Sequence, residues 1–218
     1  MSKFKAIIFD MDGILVDSML HWLRLDEEFF QELEIELTPE IIKNFTGKSI
    51  RENMTWLKNR CDLDKSVGEL CEDRELWIKT IYDELTEVMP GTEQLIKKIH
   101  NTDLKQAIAS GAPMTAINKV VNRFKWGEYF DELVSADHVD HVGKPDPGIY
   151  LYTASALKVQ PEECLVFEDA ENGVAAAKAA GMKCIAVPDE RWSVGDFSGA
   201  DLIVNSLADD EVTNFLGF

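Results

Sequence analysis

Positive charge is scarce in this 218-residue chain: 22 Lys and Arg stand against 40 Asp and Glu, a formal net charge of −18. Nucleic acid and anionic membrane surfaces both demand basic patches, so neither is expected as a partner. Long apolar runs are missing as well. None approaches the roughly 20 residues of a membrane span, and the N-terminus lacks the charged, apolar and small-residue succession of a signal peptide, so a cytoplasmic protein is expected. Cysteine is sparse, and Cys61, Cys71, Cys164 and Cys184 form no CxxC pair, which argues against zinc and disulfides. Repeats and low-complexity tracts are absent.

What remains is enough for a core, since 45% of the residues are hydrophobic. Short apolar runs predict strands at Lys5 to Phe9, Leu104 to Ala109, Glu132 to Ser135, Leu165 to Glu168, Cys184 to Val187 and Leu202 to Val204. Helical spacing is found at Glu93 to His100, with Thr92 as its N-cap, and in the stripe Ile117, Val120, Val121 and Phe124. Further helices are expected at Pro147 to Leu157 and Gly173 to Ala180. Such alternation implies an α/β fold, a doubly wound Rossmann-like parallel sheet covered on both faces. Between the first strand and the rest, only helices are expected: Met19 to Leu33, a short one begun by Thr38 and Pro39, Ser49 to Arg60, and Ser66 to Leu85. The chain is therefore read as a core of residues 1–17 and 89–218 interrupted by an all-α insert, 18–88.

The most informative stretch is FDMDGILVDS, Phe9 to Ser18. Asp10 and Asp12 leave the first strand one residue apart, so both carboxylates can enter the space beyond the sheet, and Gly13 permits a tight turn. Two ionised acids this close repel unless a cation sits nearby or one stays protonated. Phosphoryl transfer could use both solutions, although a solvated strand-to-loop turn explains the string equally well. Ligands of an open parallel sheet bind beyond the carboxyl ends of its strands. Ser110 and Gly111 follow one strand, Glu168 and Asp169 follow another, and Lys144 in GKPDP precedes a helix that Asp146 can cap.

Taken together, FDMDGILVDS, IASGAP, GKPDP and VFEDAENGVAAAKAAGM resemble, in order, the four signatures of the haloacid dehalogenase-like hydrolase superfamily. The helical block is similar to the cap of the branch containing beta-phosphoglucomutase-like and phosphoglycolate-phosphatase-like proteins. The resemblance implies an Mg2+-dependent phosphatase acting on a small phosphorylated metabolite, as a monomer. Asp10 would be the nucleophile and Asp12 the general acid and base. Asp10, the backbone carbonyl of Asp12, and Asp169 would hold magnesium, with Glu168 as a direct or water-mediated ligand. Ser110 and the Gly111 N–H, at a helix N-terminus, would take a phosphate oxygen, and Lys144 would supply the point charge.

Selectivity would come from NFTGKSIREN in the cap, with Thr46, Lys48, Ser49 and Arg51 as candidates. Where sugar-phosphate mutases of the family have Lys-Gly-x-Ser-Arg, Thr46 takes the lysine's place and Arg51 falls one residue late. Trp22 stands at the count where many relatives have His, and His21 precedes it. Two alternatives stay open: a beta-phosphoglucomutase-type isomerase, and a catalytically silent binding module that uses its acidic surface.

Overall fold

The computed structural model describes residues 4–45, 48–61 and 63–218, with Lys43 described in its backbone only; the cap candidate Thr46 lies outside these residues. Six parallel strands form one sheet: β1 (Ala6–Phe9), β2 (Lys105–Ser110), β3 (Glu132–Ser135), β4 (Cys164–Glu168), β5 (Lys183–Ala186) and β6 (Leu202–Ile203), in the order β3-β2-β1-β4-β5-β6. Strands β1 and β4 are buried along their whole length, as apolar runs covered on both faces must be. The order reverses direction between β1 and β4, and a doubly wound sheet opens a crevice beyond the strand ends at that place.

Helices α1 (Met19–Glu32), α2 (Pro39–Phe45), α3 (Ile50–Cys61) and α4 (Val67–Thr80) are inserted after β1. A capping box starts α4: Ser66 N–H donates to Glu69 Oε2 (2.7 Å) and Glu69 N–H to Ser66 Oγ (3.2 Å). Phe29, Phe30, Ile41, Met54, Leu57 and Leu70 form a hydrophobic cluster within this insert, distinct from the two beneath the sheet. The fold is thus α/β with an inserted all-α cap. The two connecting strands of chain run side by side. Asp17 N–H donates to the Glu87 carbonyl (2.8 Å) and Met89 N–H to the Leu15 carbonyl (3.0 Å).

The remaining helices are α5 (Thr92–His100), α6 (Met114–Phe124), α7 (Gly148–Leu157), α8 (Glu171–Ala179) and α9 (Asp210–Leu216). Strand alternation sorts the core. Ile7 and Phe9 face Leu95, Ile96 and Ile99 of α5, Ile117 and Val120 of α6, and Val212 and Leu216 of α9; Ala6 and Ile8 face Ile149 and Ala154 of α7 and Val174 and Ala177 of α8. All four cysteines are free thiols.

Three local expectations differ from the structure. The helix expected to run through Leu85 stops as an α-helix at Thr80 and continues as a π-helical turn, Ile81–Leu85, closed by Thr86 N–H to the Ile81 carbonyl (2.8 Å). Thr92 does not cap its helix; its hydroxyl turns back to the carbonyls of Ile14 and Leu15 (3.3 Å each), and Gly91, at φ +86°, holds the cap position. A side chain at Gly91 would meet the Ala208 nitrogen at 2.4 Å, so the position admits only glycine. Finally, α6 starts at Met114 with Pro113 before it, so Ser110 and Gly111 sit in a turn upstream of the helix rather than at its N-terminus.

At the far side of the sheet, Asp201 accepts from Lys178 (2.5 Å), Lys183 (2.6 Å) and the Cys184 N–H (2.9 Å). Burial pushes its carboxyl up, but these donors outweigh it and hold it at about 2, against 3.8 ordinarily. A depressed carboxylate stabilises the fold above its ordinary value and loses that contribution as pH falls through its folded value. Asp201→Asn should therefore lower the melting temperature at neutral pH, and the gap to wild type should close between about pH 5 and pH 2. Melting curves across that range check it.

Candidate active site

Asp10 is the first residue beyond β1, its N–H donating to the Phe167 carbonyl of β4 (3.0 Å). Ser110 ends β2 and Glu168 ends β4. The turn ahead of α7 carries Lys144 down between them. Its ammonium donates to Asp10 Oδ1 (2.7 Å), Glu168 Oε1 (2.5 Å) and the Ala109 carbonyl (3.4 Å), spending all three protons, and the residue is 1% exposed. Burial works against its charge, but Asp10 and Glu168 win, so Lys144 stays protonated far above neutral pH.

Three buried carboxylates surround this one cation, with oxygens of Asp10, Glu168 and Asp169 within 4.8 Å of one another. Burial pushes Asp10 up to about 7 although Lys144 pulls it down, and Glu168 and Asp12 add to the rise. Asp169 is driven well above the ordinary range, first by burial and then by Glu168 and Asp10. Trp192 Nε1–H holds Asp169 Oδ2 (2.8 Å), and Ser193 Oγ donates to its carbonyl (2.9 Å). Both oxygens of Glu168 are engaged: Oε1 also accepts from the Tyr150 hydroxyl, and Oε2 accepts from the N–H groups of Asp169 (3.2 Å) and Ala170 (3.3 Å). Two glycines make room for these acids. A Cβ on Gly13, at φ +83°, would lie 2.2 Å from Asp169 Oδ2, and one on Gly173 would lie 1.9 Å from the Glu168 carboxyl carbon.

Asp12 stands apart from this knot, half-buried. Its Oδ1 accepts from the Ser18 hydroxyl and from the Tyr82 hydroxyl (2.7 Å), and Trp22 Nε1–H donates to the Tyr82 oxygen (3.0 Å). Burial raises its carboxyl above the usual range, and the Ser18 and Tyr82 bonds offset part of that rise. The π-helical turn that presents Tyr82 is tied to the core: Arg123 donates to the Tyr82 carbonyl (2.9 Å), and Lys119 pairs with Asp83 (2.6 Å).

Between cap and core lies a cavity of ≈110 Å³ with Asp10, Asp12, Ser110, Gly111 and Asp169 at its core end. Ser110 Oγ accepts from Ala112 N–H (3.1 Å). Of the expected cap candidates, Lys48 lines the cavity, donating to Asn44 Oδ1 (2.9 Å). Ser49 is spent otherwise: its Oγ accepts from Glu52 N–H (3.3 Å) as a cap for α3 and lies 2.8 Å from the His141 carbonyl across the cap-core junction. Arg51 is exposed and lines a separate surface hollow with Glu52 and Thr55, away from Asp10.

Residues 4–181 match the pattern of the haloacid dehalogenase-like hydrolases. The chain belongs to this family. Among its relatives, the phosphorylated carbohydrates phosphatase of Thermotoga maritima is 30% identical over 181 residues, 83% of either chain. Hexitol phosphatase B of Escherichia coli is 29% identical, covering 97% of this chain and 96% of its own. The crystal structure of CbbY from Rhodobacter sphaeroides in complex with phosphate superposes at a TM-score of 0.80 with 25% identity, covering 94% and 96% of the two chains.

Sequence reasoning missed Tyr82, Tyr150, Trp192 and the two accommodating glycines as partners of the hydrolase site. Tyr82 and Tyr150 read as ordinary apolar-face residues of helices, and only their buried hydroxyls distinguish them. Trp192, in the otherwise polar segment after β5, was the one visible signal: a large aromatic needs a partner to justify its place there.

Removing Lys144 leaves the acids without their cation. Lys144→Met in metal-free buffer should cost roughly 3 kcal/mol or more at pH 8, as for breaking a buried ion pair. The loss should shrink toward pH 5, where the carboxyls can keep their protons. Chemical denaturation at the two pH values checks both parts.

Proposed function

We propose that this hydrolase is a magnesium-dependent phosphatase that cleaves a small phosphorylated metabolite through an aspartyl-phosphate on Asp10. The observation that carries the reading is the placement of Asp10 at the floor of a closed cavity, fixed by Lys144, with a second, independently held acid at Asp12. The donor set suits magnesium, which prefers oxygen ligands. Three clustered carboxylates with one ammonium leave an excess of negative charge, and the raised Asp10 and Asp169 report the strain that a divalent cation would relieve. Asp10, Asp169 and the Asp12 carbonyl would hold the ion. Glu168, already accepting from four donors, would act through a water or through its hold on Lys144. Bound there, magnesium supplies charge neutralisation for the phosphoryl oxygens.

In the first step an Asp10 oxygen attacks phosphorus and the ester P–O bond breaks, while Asp12 gives its proton to the leaving oxygen. In the second, water attacks the phosphorus, Asp12 takes its proton, and the Asp10 carboxylate leaves with release of phosphate. A carboxyl raised by burial is suited to carry the first proton, and the Tyr82 and Ser18 hydroxyls keep it ionisable for the second step. Lys144, Ser110 and the Gly111 N–H would bind the phosphoryl oxygens. Closure of the cap excludes bulk water from both steps. The mutase alternative loses support at Trp22, whose indole N–H can donate to Tyr82 but offers no base to a sugar hydroxyl.

Asp10→Asn should abolish phosphate release with the fold intact, and Asp12→Ala should slow it by about a hundredfold or more. Phosphate release from an aryl phosphate in the presence of magnesium, with melting curves as the control for folding, is the check. Because the ion binds the deprotonated carboxylate, magnesium affinity measured by calorimetry should rise between about pH 6 and pH 8, with proton release. A flat profile would remove Asp10 as a ligand.

A further inference from the structure

The cap end of the cavity holds two polar groups that the reaction at Asp10 leaves unused. Arg74 of α4 is 4% exposed; it donates from Nη1 to Asp26 of α1, and its guanidinium lies 4.7 Å from the Trp77 ring centre and 5.1 Å from that of Trp22. Asn53 of α3 is 7% exposed and donates from Nδ2 to the Phe45 carbonyl (2.9 Å). Both residues line the cavity, as does Asp26. Yet Arg74 Nε, a donor, and Asn53 Oδ1, an acceptor, have no hydrogen-bond partner among the described residues. Buried polar atoms without partners are costly, and a pair of them facing a cavity points to a ligand that completes them.

We infer that Arg74, Asp26 and Asn53 form the specificity subsite for the alcohol portion of the substrate, and that this portion is polyhydroxylated. The inference rests on the phosphatase reading above and deepens it. A hydroxyl is the group that serves both orphans, accepting from Arg74 Nε and donating to Asn53 Oδ1. An alkyl chain serves neither. A carboxylate could accept from Arg74, but that charge is already neutralised by Asp26, whose own carboxylate opposes a second anion, and Asn53 Oδ1 has no proton to give it. The remaining wall, including Trp22, Leu23, Ile42 and Phe45, is apolar and suits the carbon faces of a polyol. Its other cation, Lys48, is turned to Asn44.

Sites built to hydrogen-bond a hydroxyl reject analogues lacking it more strongly than apolar pockets reject a missing methylene. The test compares kcat/KM for erythritol phosphate, butyl phosphate and phosphoglycolate in wild type, Asn53→Leu, and the paired Asp26→Leu/Arg74→Met variant, which removes both charges together so that neither is left buried alone. Wild type should favour erythritol phosphate over both others by about tenfold or more. Each variant should reduce its preference over butyl phosphate to within about twofold. Wild-type preference for butyl phosphate or phosphoglycolate overturns the inference, as does an undiminished preference in variants whose circular dichroism is native. In those cases phosphate is still released and the phosphatase reading stands. Release from none of the three esters, nor from an aryl phosphate, overturns that reading and this inference with it.

Discussion

The structure turns on a single buried ammonium. Lys144 comes from a turn between β3 and α7, yet its three protons are consumed by β1, β2 and β4 through Asp10, the Ala109 carbonyl and Glu168. An ammonium removed from water is tolerated only when it is paired and fully hydrogen-bonded, so the sheet must bring these three strand ends to one place. Glu168 is in turn fixed by Tyr150 and two backbone N–H groups. The same contacts that make the lysine bearable also aim an Asp10 oxygen and hold an excess of carboxylates together, a state that asks for a metal ion.

A second constraint acts at the joint between cap and core. Asp12 accepts from Ser18, at the start of the cap, and from Tyr82, in the π-helical turn where the cap returns. Trp22 of α1 completes the chain by donating to Tyr82. Both connections between the two parts of the molecule therefore contribute a bond to the acid that would handle protons. Arg123 and Lys119 clamp the returning turn onto α6, so Tyr82 keeps its place relative to the sheet. Substrate enclosure and proton transfer are thereby served by one small set of residues.

Much of this arrangement was legible before any coordinates. The alternation of short apolar runs with helical stripes implied the parallel sheet, and the rule that ligands gather at strand ends drew Asp10, Asp12, Ser110, Lys144 and Asp169 together. Local chemistry was harder to read where several solutions satisfy the same pattern. Thr92 before an apolar stripe looks like a cap, but the nearby carbonyls of Ile14 and Leu15 compete for its hydroxyl. The π-helical turn at Ile81 leaves the apolar spacing almost unchanged and shows only in its backbone bond. Arg51 and Asn53 are two residues apart on α3 and so face different ways; sequence alone favoured the charged one, whereas the cavity receives the amide. Arg74 was hidden among the acidic residues of α4, where a solvated ion pair is the ordinary expectation.

The account requires that phosphorus be carried, for part of each turnover, by the side chain that Lys144 holds. Acid quenching of the magnesium-loaded protein during turnover, followed by peptide mass spectrometry, tests this directly. A phosphoryl adduct on the peptide containing Asp10, localised to that residue and missing from Asp10→Asn, is the predicted result. An adduct localised to another residue, or turnover that persists in Asp10→Asn, would contradict it.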